Sequence, residues 1–404
     1  MFVIAFGNGL FKGNLQALVG QMYDNPEYGK MRDSGFSLFY MFINVGAIFA
    51  PLAAIGVRNW WLEKHGFQYN PDLPALCHAH LDGTINSAAT ESLTQLATKV
   101  SAAPIADITA FTKDYLNVFT TGFHYAFGSA ILAMAISLTI YLVNKKNFPN
   151  AKKVVTSGAA VDPDAIVMDI KEVKQRMYAL FAVFGVAIFF WLSFHQNGLT
   201  LTYFARDYTD LSNMKVSLGS LTLQGAEVFQ SINPFFVVFL TPIVLVFFGR
   251  LRRNGKEPST PRKIAIGMGI AACGFLVMAV GSYFSNLPLH AAINPAQGGV
   301  PLAANLKVTP FLLILTYFVL TVAELFISPL GISFVSKVAP PQYQGVMQGG
   351  WLGATAIGNA LLFTGAILYD NIPIWMAWTL FVTACTISMF TMIFMLKWLE
   401  RVAK

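Results

Sequence analysis

Charge is what this chain has least of. Asp, Glu, Lys and Arg make up 12% of its 404 residues, against about 25% in a soluble domain. Cysteine is scarce as well: three residues are too few for a disulfide framework, and Cys273 and Cys385 stand in apolar runs while Cys77 is alone in a polar segment. The patterns HExxH, GxSxG and GxxxxGK[ST] are missing. Those are the usual holders of hydrolytic metals, nucleophilic serines and nucleotide phosphates. Neither an enzyme nor an ATP-driven machine is indicated, and no cofactor is expected. No basic stretch precedes the first apolar run, so no cleavable leader is expected.

What is present is apolar surface, with 55% hydrophobic and 14% aromatic residues. This composition reads as an all-α polytopic membrane protein, and lipid as its first partner. Nine spans are expected, at about 1–22, 36–57, 119–143, 177–204, 228–249, 263–284, 310–335, 345–368 and 373–396. Alternate loops differ in charge. Nineteen Lys and Arg fall on one side and seven on the other, with Lys12 inside a span. The positive-inside rule then places the C-terminus in the cytoplasm, in a multi-pass cell-membrane protein. The net charge of +7 belongs to those loops and does not imply a nucleic-acid partner.

Nine spans with the C-terminus inside leave Met1 outside, and nine do not divide into two equal repeats. The most basic loop, 145–176, separates three spans from six. Three further helices before Met1 would restore symmetry, so 1–144 reads as a partial N-terminal lobe, 145–176 as a cytoplasmic linker and 177–404 as a six-helix C-terminal lobe. Residues 58–118 form a polar insert with two expected short helices, 88–100 and 105–118. A second insert covers 285–308, where Gly298-Gly299 reads as loop. Cys77, His78 and His80 are weak evidence for a metal without a second ligand cluster, so no metal site is expected.

A few polar residues inside the spans carry the chemistry. Glu324 is the strongest: a mid-membrane charge costs about 2.5–3.5 kcal/mol even on lenient scales and ordinarily faces a cavity or a partner. Tyr317, Thr321, Glu324 and Ser328 share one helical face, and Pro329 and Gly331 weaken the helix just beyond. Lys12 shares a face with Asn8 and Gln16, and Ser37 shares one with Tyr40 and Asn44. His195, in a run with Ser193, Gln196, Asn197 and Thr200, can exchange a proton near neutral pH. Asn233 precedes Pro234, a place where a helix carbonyl is freed. A packing role for each of these residues stays open at this level.

GNGLFKGN followed by RDSGFSLFYMFINVGAIFAPL, then FFWLSFHQNGLTL, QSINPFFVVFLTP and AELFISPLGISFVSKVAPPQYQGVMQGGWLGATAIGN, resembles the proton-dependent oligopeptide transporters of the major facilitator superfamily. The resemblance runs through nearly the whole chain apart from the two inserts. It implies alternating-access symport of protons with di- and tripeptides. Carried over by motif, the peptide site comprises Lys12, Tyr40, Asn44, Asn233, Glu324, Ser328 and Trp351, with Glu324 meeting the peptide amino terminus. Proton coupling falls to Glu324 and His195, because this chain has His195 where the family usually has a glutamate before the glutamine. The family's first three helices, with their ExxER motif, are not found before the first span, which corresponds to the family's fourth. A carrier of another small solute, or a non-transporting remnant or scaffold, are the competing readings.

Overall fold

The computed structural model describes residues 2–24, 27–70, 73–148, 169–211, 215–218, 221–224, 227–294 and 302–403. Most of the expected linker 145–176, and Gly298-Gly299, lie outside them. The helices are α1 (Phe2–Met22), α2 (Arg32–Lys64), α3 (Leu73–Leu81), α4 (Ser87–Val100), α5 (Ile108–Asn144), α6 (Ile170–Phe194), α7 (Thr200–Tyr208), α8 (Glu227–Arg253), α9 (Thr260–Phe284), α10 (His290–Ile293), α11 (Pro310–Leu325), α12 (Ser328–Val338), α13 (Gln344–Ala360), α14 (Phe363–Asn371) and α15 (Ile374–Val402). Two short strands, β1 (Lys215–Leu218) and β2 (Leu221–Gln224), pair as an antiparallel hairpin between α7 and α8. The sequence reading had no place for that hairpin.

Eight helical stretches among the described residues are long and apolar enough to cross a bilayer, which makes this a multi-pass membrane protein. The expected first span is present as α1, but Asn8, Lys12, Asn14 and Gln16 dilute its apolarity and it is not one of the eight. Three spans read as single helices are broken: α6 from α7 by a 3-10 turn at His195–Gly198, α11 from α12 at Phe326 and Ile327, and α13 from α14 at Leu361 and Leu362.

Contacts divide the chain into two compact units, Met1–Val45 with Phe148–Lys404, and Gly46–Asn147. In the larger unit α9 lies between α11 and α15. Gly267, Gly274 and Gly281 recur every seven residues on α9. A Cβ on each would come within 2.7 Å of Ile327, 2.9 Å of Leu320 and 2.6 Å of Leu312. Small residues in register let two membrane helices approach closely, which is how packing replaces the hydrophobic drive absent in lipid. Side chains that point away from such contacts stay exposed to the bilayer, as Phe394 does at 90%.

The smaller unit folds around its own core. Leu62, Leu73, Cys77, Leu93, Ala97 and Tyr115 are fully buried there. Asn86 caps α4 by accepting from Ala89 N at 2.8 Å, and Asp107 caps α5 by accepting from Thr109 N at 2.8 Å. The expected helix 88–100 therefore stands, whereas 105–118 is the first part of the long α5. Cys77 faces inward from α3 and burial pushes its thiol up to about 11. His78 is exposed, and His80 meets Thr109 at 3.1 Å.

An ion network anchors the start of α2. Lys263, with its side chain 2% exposed, donates to Asp33 at 2.8 Å and to Glu257 at 2.7 Å. Ser333 donates to Asp33 at 2.6 Å, Thr260 at 3.0 Å, and Arg252 bridges Glu257 at 2.6 Å to Ser34 at 3.0 Å. Burial alone would raise the Glu257 carboxyl, but Arg252 and Lys263 outweigh it and hold it below the ordinary range. A carboxyl of this kind stabilises the fold above its unfolded value and loses that contribution as pH falls through its folded value. The melting temperature should therefore drop in acid below about pH 4. Lys263→Met should already melt lower at neutral pH, because breaking one partner of a buried pair costs about 3–5 kcal/mol. Scanning fluorimetry of both proteins across pH checks this; equal melting at neutral pH would remove the network from the stability balance.

Candidate functional site

Glu324 sits in the last turn of α11, 4% exposed. The sequence places a bend at Pro329 and Gly331; the break comes earlier, at Phe326 and Ile327, and Pro329 lies in the first turn of α12. Proline has no N–H to donate and its fixed φ suits a first helical turn, so the chain stops before it and restarts on it. This leaves the carboxylate at a helix end, beside an irregular link.

Both carboxylate oxygens are engaged. One accepts the Tyr40 hydroxyl from α2, the other the Asn233 amide from α8 at 2.7 Å. The same Asn233 nitrogen donates to Thr321 Oγ1 at 3.0 Å. Thr321 in turn donates to the Tyr317 carbonyl at 2.7 Å, and the Tyr317 hydroxyl donates to the Asn197 carbonyl at 2.7 Å. The Ser328 hydroxyl is buried beside the Tyr40 phenol without a well-formed hydrogen bond of its own. Tyr40, Asn233, Glu324 and Ser328 are thus one cluster, built from α2, α8, α11 and α12. Its carboxylate is held by neutral donors, and no cation pairs with it among the described residues. A buried carboxylate so placed can take up a proton or receive a ligand's cation, since either removes an uncompensated charge from low dielectric.

Asn44 adjoins that cluster, whereas Lys12, Trp351 and His195 make no hydrogen bond to it among the described residues. Asn44 is 7% exposed and donates back to the Tyr40 carbonyl at 3.0 Å, which fixes the turn that carries Tyr40. Lys12 is exposed on α1, with no ion pair among the described residues. Trp351, 2% exposed on α13, lies against Gly331, where a Cβ would come within 2.2 Å of its ring. The glycine that reads as a helix weakener is a seat for this indole.

His195 opens the 3-10 turn after α6. Its ring stacks on Trp191 at 4.8 Å and 18°, Asn359 lies beside it without a well-formed hydrogen bond, and its Nδ1 is buried with no partner among the described residues. Trp191 meets Trp351 edge-on at 6.2 Å. No hydrogen bond joins His195 to Glu324; the Asn197–Tyr317–Thr321–Asn233 chain runs from the same turn to the carboxylate. Trp191 and Asn359 were missed by the sequence reading. Trp191 had a signal, since it precedes His195 by one helical turn; Asn359 had none beyond its place at the end of a quoted motif.

The POT family model matches residues 1–167 and 150–377. The chain is 27% identical over 411 residues to the peptide transporter YePEPT of Yersinia enterocolitica, covering 96% of this chain and 70% of that protein. It is 26% identical over 364 residues to dipeptide and tripeptide permease A of Escherichia coli, covering 89% and 63%. Its fold is similar to a peptide transporter POT solved with sulfate, at TM-score 0.52 and 22% identity, and to a POT family transporter solved with a thioalcohol-conjugated peptide, at 0.52 and 20%. All of this chain aligns in both cases, to 75% and 76% of the solved chains. An all-α bundle of the major facilitator type, matched by one family model along most of its length, makes this chain a member of the POT family.

Proposed function

We propose that this protein is a proton-coupled symporter that moves di- and tripeptides by alternating access, with the cytoplasm on the side of the basic loops and the C-terminus. The lobes are taken as 1–144 and 177–404, joined by 145–176. The observation that carries the reading is Glu324, a buried carboxylate held by Tyr40 and Asn233 with no cation beside it among the described residues, in a chain of this family.

A zwitterionic peptide offers a cation and an anion at a fixed separation. Its ammonium replaces the charge balance that Glu324 lacks, and its carboxylate meets Lys12, the exposed cation of α1. Asn44, Asn233, Ser328 and Trp351 supply the hydrogen bonds and the apolar wall. The Tyr40–Glu324 bond also ties α2 to α11. A proton on Glu324 removes the charge that draws Tyr40 and Asn233 inward, so proton and peptide each shift the balance between two arrangements of these helices. His195, with a spare buried nitrogen, is the second proton carrier in this scheme.

Glu324→Gln should reduce dipeptide uptake to background while membrane insertion stays normal; wild-type uptake by this variant would remove the clamp. His195→Ala should change the pH profile of uptake, and an unaltered profile would take His195 out of the proton path. Competition with dipeptides, free amino acids and nitrate separates a peptide carrier from one for another small solute.

A further inference from the structure

A second cluster of titratable side chains sits in the larger unit, around the insert between α9 and α11. His290 begins α10, inside the insert between α9 and α11, and its side chain is 8% exposed. Its Nδ1 lies 2.7 Å from Asp370 at the tip of α14, and its Nε2 lies 3.2 Å from Asp207 at the tip of α7. A carboxylate can only accept, so Nδ1 donates to Asp370, and the Nε2 contact with Asp207 is an attractive ion pair only when Nε2 carries a proton as well. A neutral ring turns one lone pair toward a carboxylate and turns attraction into repulsion.

Other charged and polar groups stand around the ring. Arg206 pairs with Asp207 at 2.7 Å, while Lys307 is engaged elsewhere, by the Arg206 carbonyl at 3.4 Å. Tyr369 spends its hydroxyl proton on Asp207 at 2.9 Å, and Tyr208 spends its own on the Pro288 carbonyl at 2.8 Å. Arg206, Asp207, protonated His290 and Asp370 sum to zero charge; with a neutral ring the same group carries one net negative charge. Asp370 is 46% exposed, which gives the proton a route to water.

What the ring joins are two short half-helices. α7 and α14 are the half-helices beyond two breaks, and those breaks touch: Gln196 in the first donates to the Leu362 carbonyl of the second at 3.4 Å. From there α7 and α14 run to the same end, where the Tyr203 and Tyr369 rings meet at 5.8 Å. The insert holds the α7 tip again through Val308, whose N–H donates to the Tyr208 carbonyl at 2.8 Å.

We propose that His290 is a proton-operated latch: its doubly protonated ring ties the tips of α7 and α14 to α10, and loss of one proton to water releases α10 and lets the two half-helices swing from their shared break. The latch depends on geometry within this chain and not on the identity of the transported solute. On the orientation proposed above, it senses the outer medium.

Hydrogen exchange of the whole protein in lipid nanodiscs tests this, read over 284–294 and 363–371 at about pH 5 and pH 8, the range in which histidine changes charge, with intrinsic rates corrected for pH. Wild-type protection should be roughly tenfold greater at the lower pH, as expected for a charge-assisted hydrogen bond that limits local opening. His290→Gln should exchange fast at both values, and His290→Arg, a fixed cation with several donors, should stay protected at both. Equal wild-type protection at the two values, or a pH difference that survives in His290→Gln, would overturn the latch. If His290→Gln fails to fold, wild type against His290→Arg decides: a pH difference in the arginine variant as large as in wild type also overturns it.

Discussion

The fold depends on one constraint: in a bilayer each polar group must find its partner inside the protein. Glu324 is the sharpest case. Its two oxygens draw in a phenol from α2 and an amide from α8, so one carboxylate sets the position of three helices. The arrangement is costly unless something else is gained from it. The gain proposed here is a site whose charge is completed by proton or peptide, so that binding energy becomes a shift between conformations.

The same constraint explains the two ionic clusters. Lys263 and Asp33 stand at one end of the larger unit, His290 with Asp207 and Asp370 at another place in it, and in each the charges nearly cancel. They differ in kind. The first rests on lysine and arginine, which hold their charge through the physiological range, and is a fixed anchor. The second rests on a histidine, whose charge is conditional.

Much of this was legible in the sequence, because apolar runs and loop cations are forced by the membrane. Glu324 stood out for the same reason: a lone carboxylate in a span has no ordinary explanation. What was not legible is what lies between distant segments. Lys263 read as one more loop cation, although it is a buried ion-pair partner. The helix breaks escaped notice because none of the three, at His195–Gly198, Phe326–Ile327 and Leu361–Leu362, contains a proline, and Pro329 pointed only to a bend beyond the second. Asp207, His290 and Asp370 lie far apart in the chain, and neither spacing nor composition brings them together. Lys12 was expected to oppose Glu324 across a site, an expectation that no contact among the described residues yet expresses.

The three broken spans have a mechanical consequence. Bending an intact helix means tearing backbone hydrogen bonds in a solvent that offers no replacement. Here that cost was met when the chain folded: Phe326, Leu361 and the His195–Gly198 turn have already traded regular bonding for shorter-range links. Between these joints the glycine-lined contact of α9 with α11 leaves little slack. The bundle is therefore a set of stiff rods with prepared joints, and a change of shape can proceed by rotation at a few peptide units while the packed segments move as wholes.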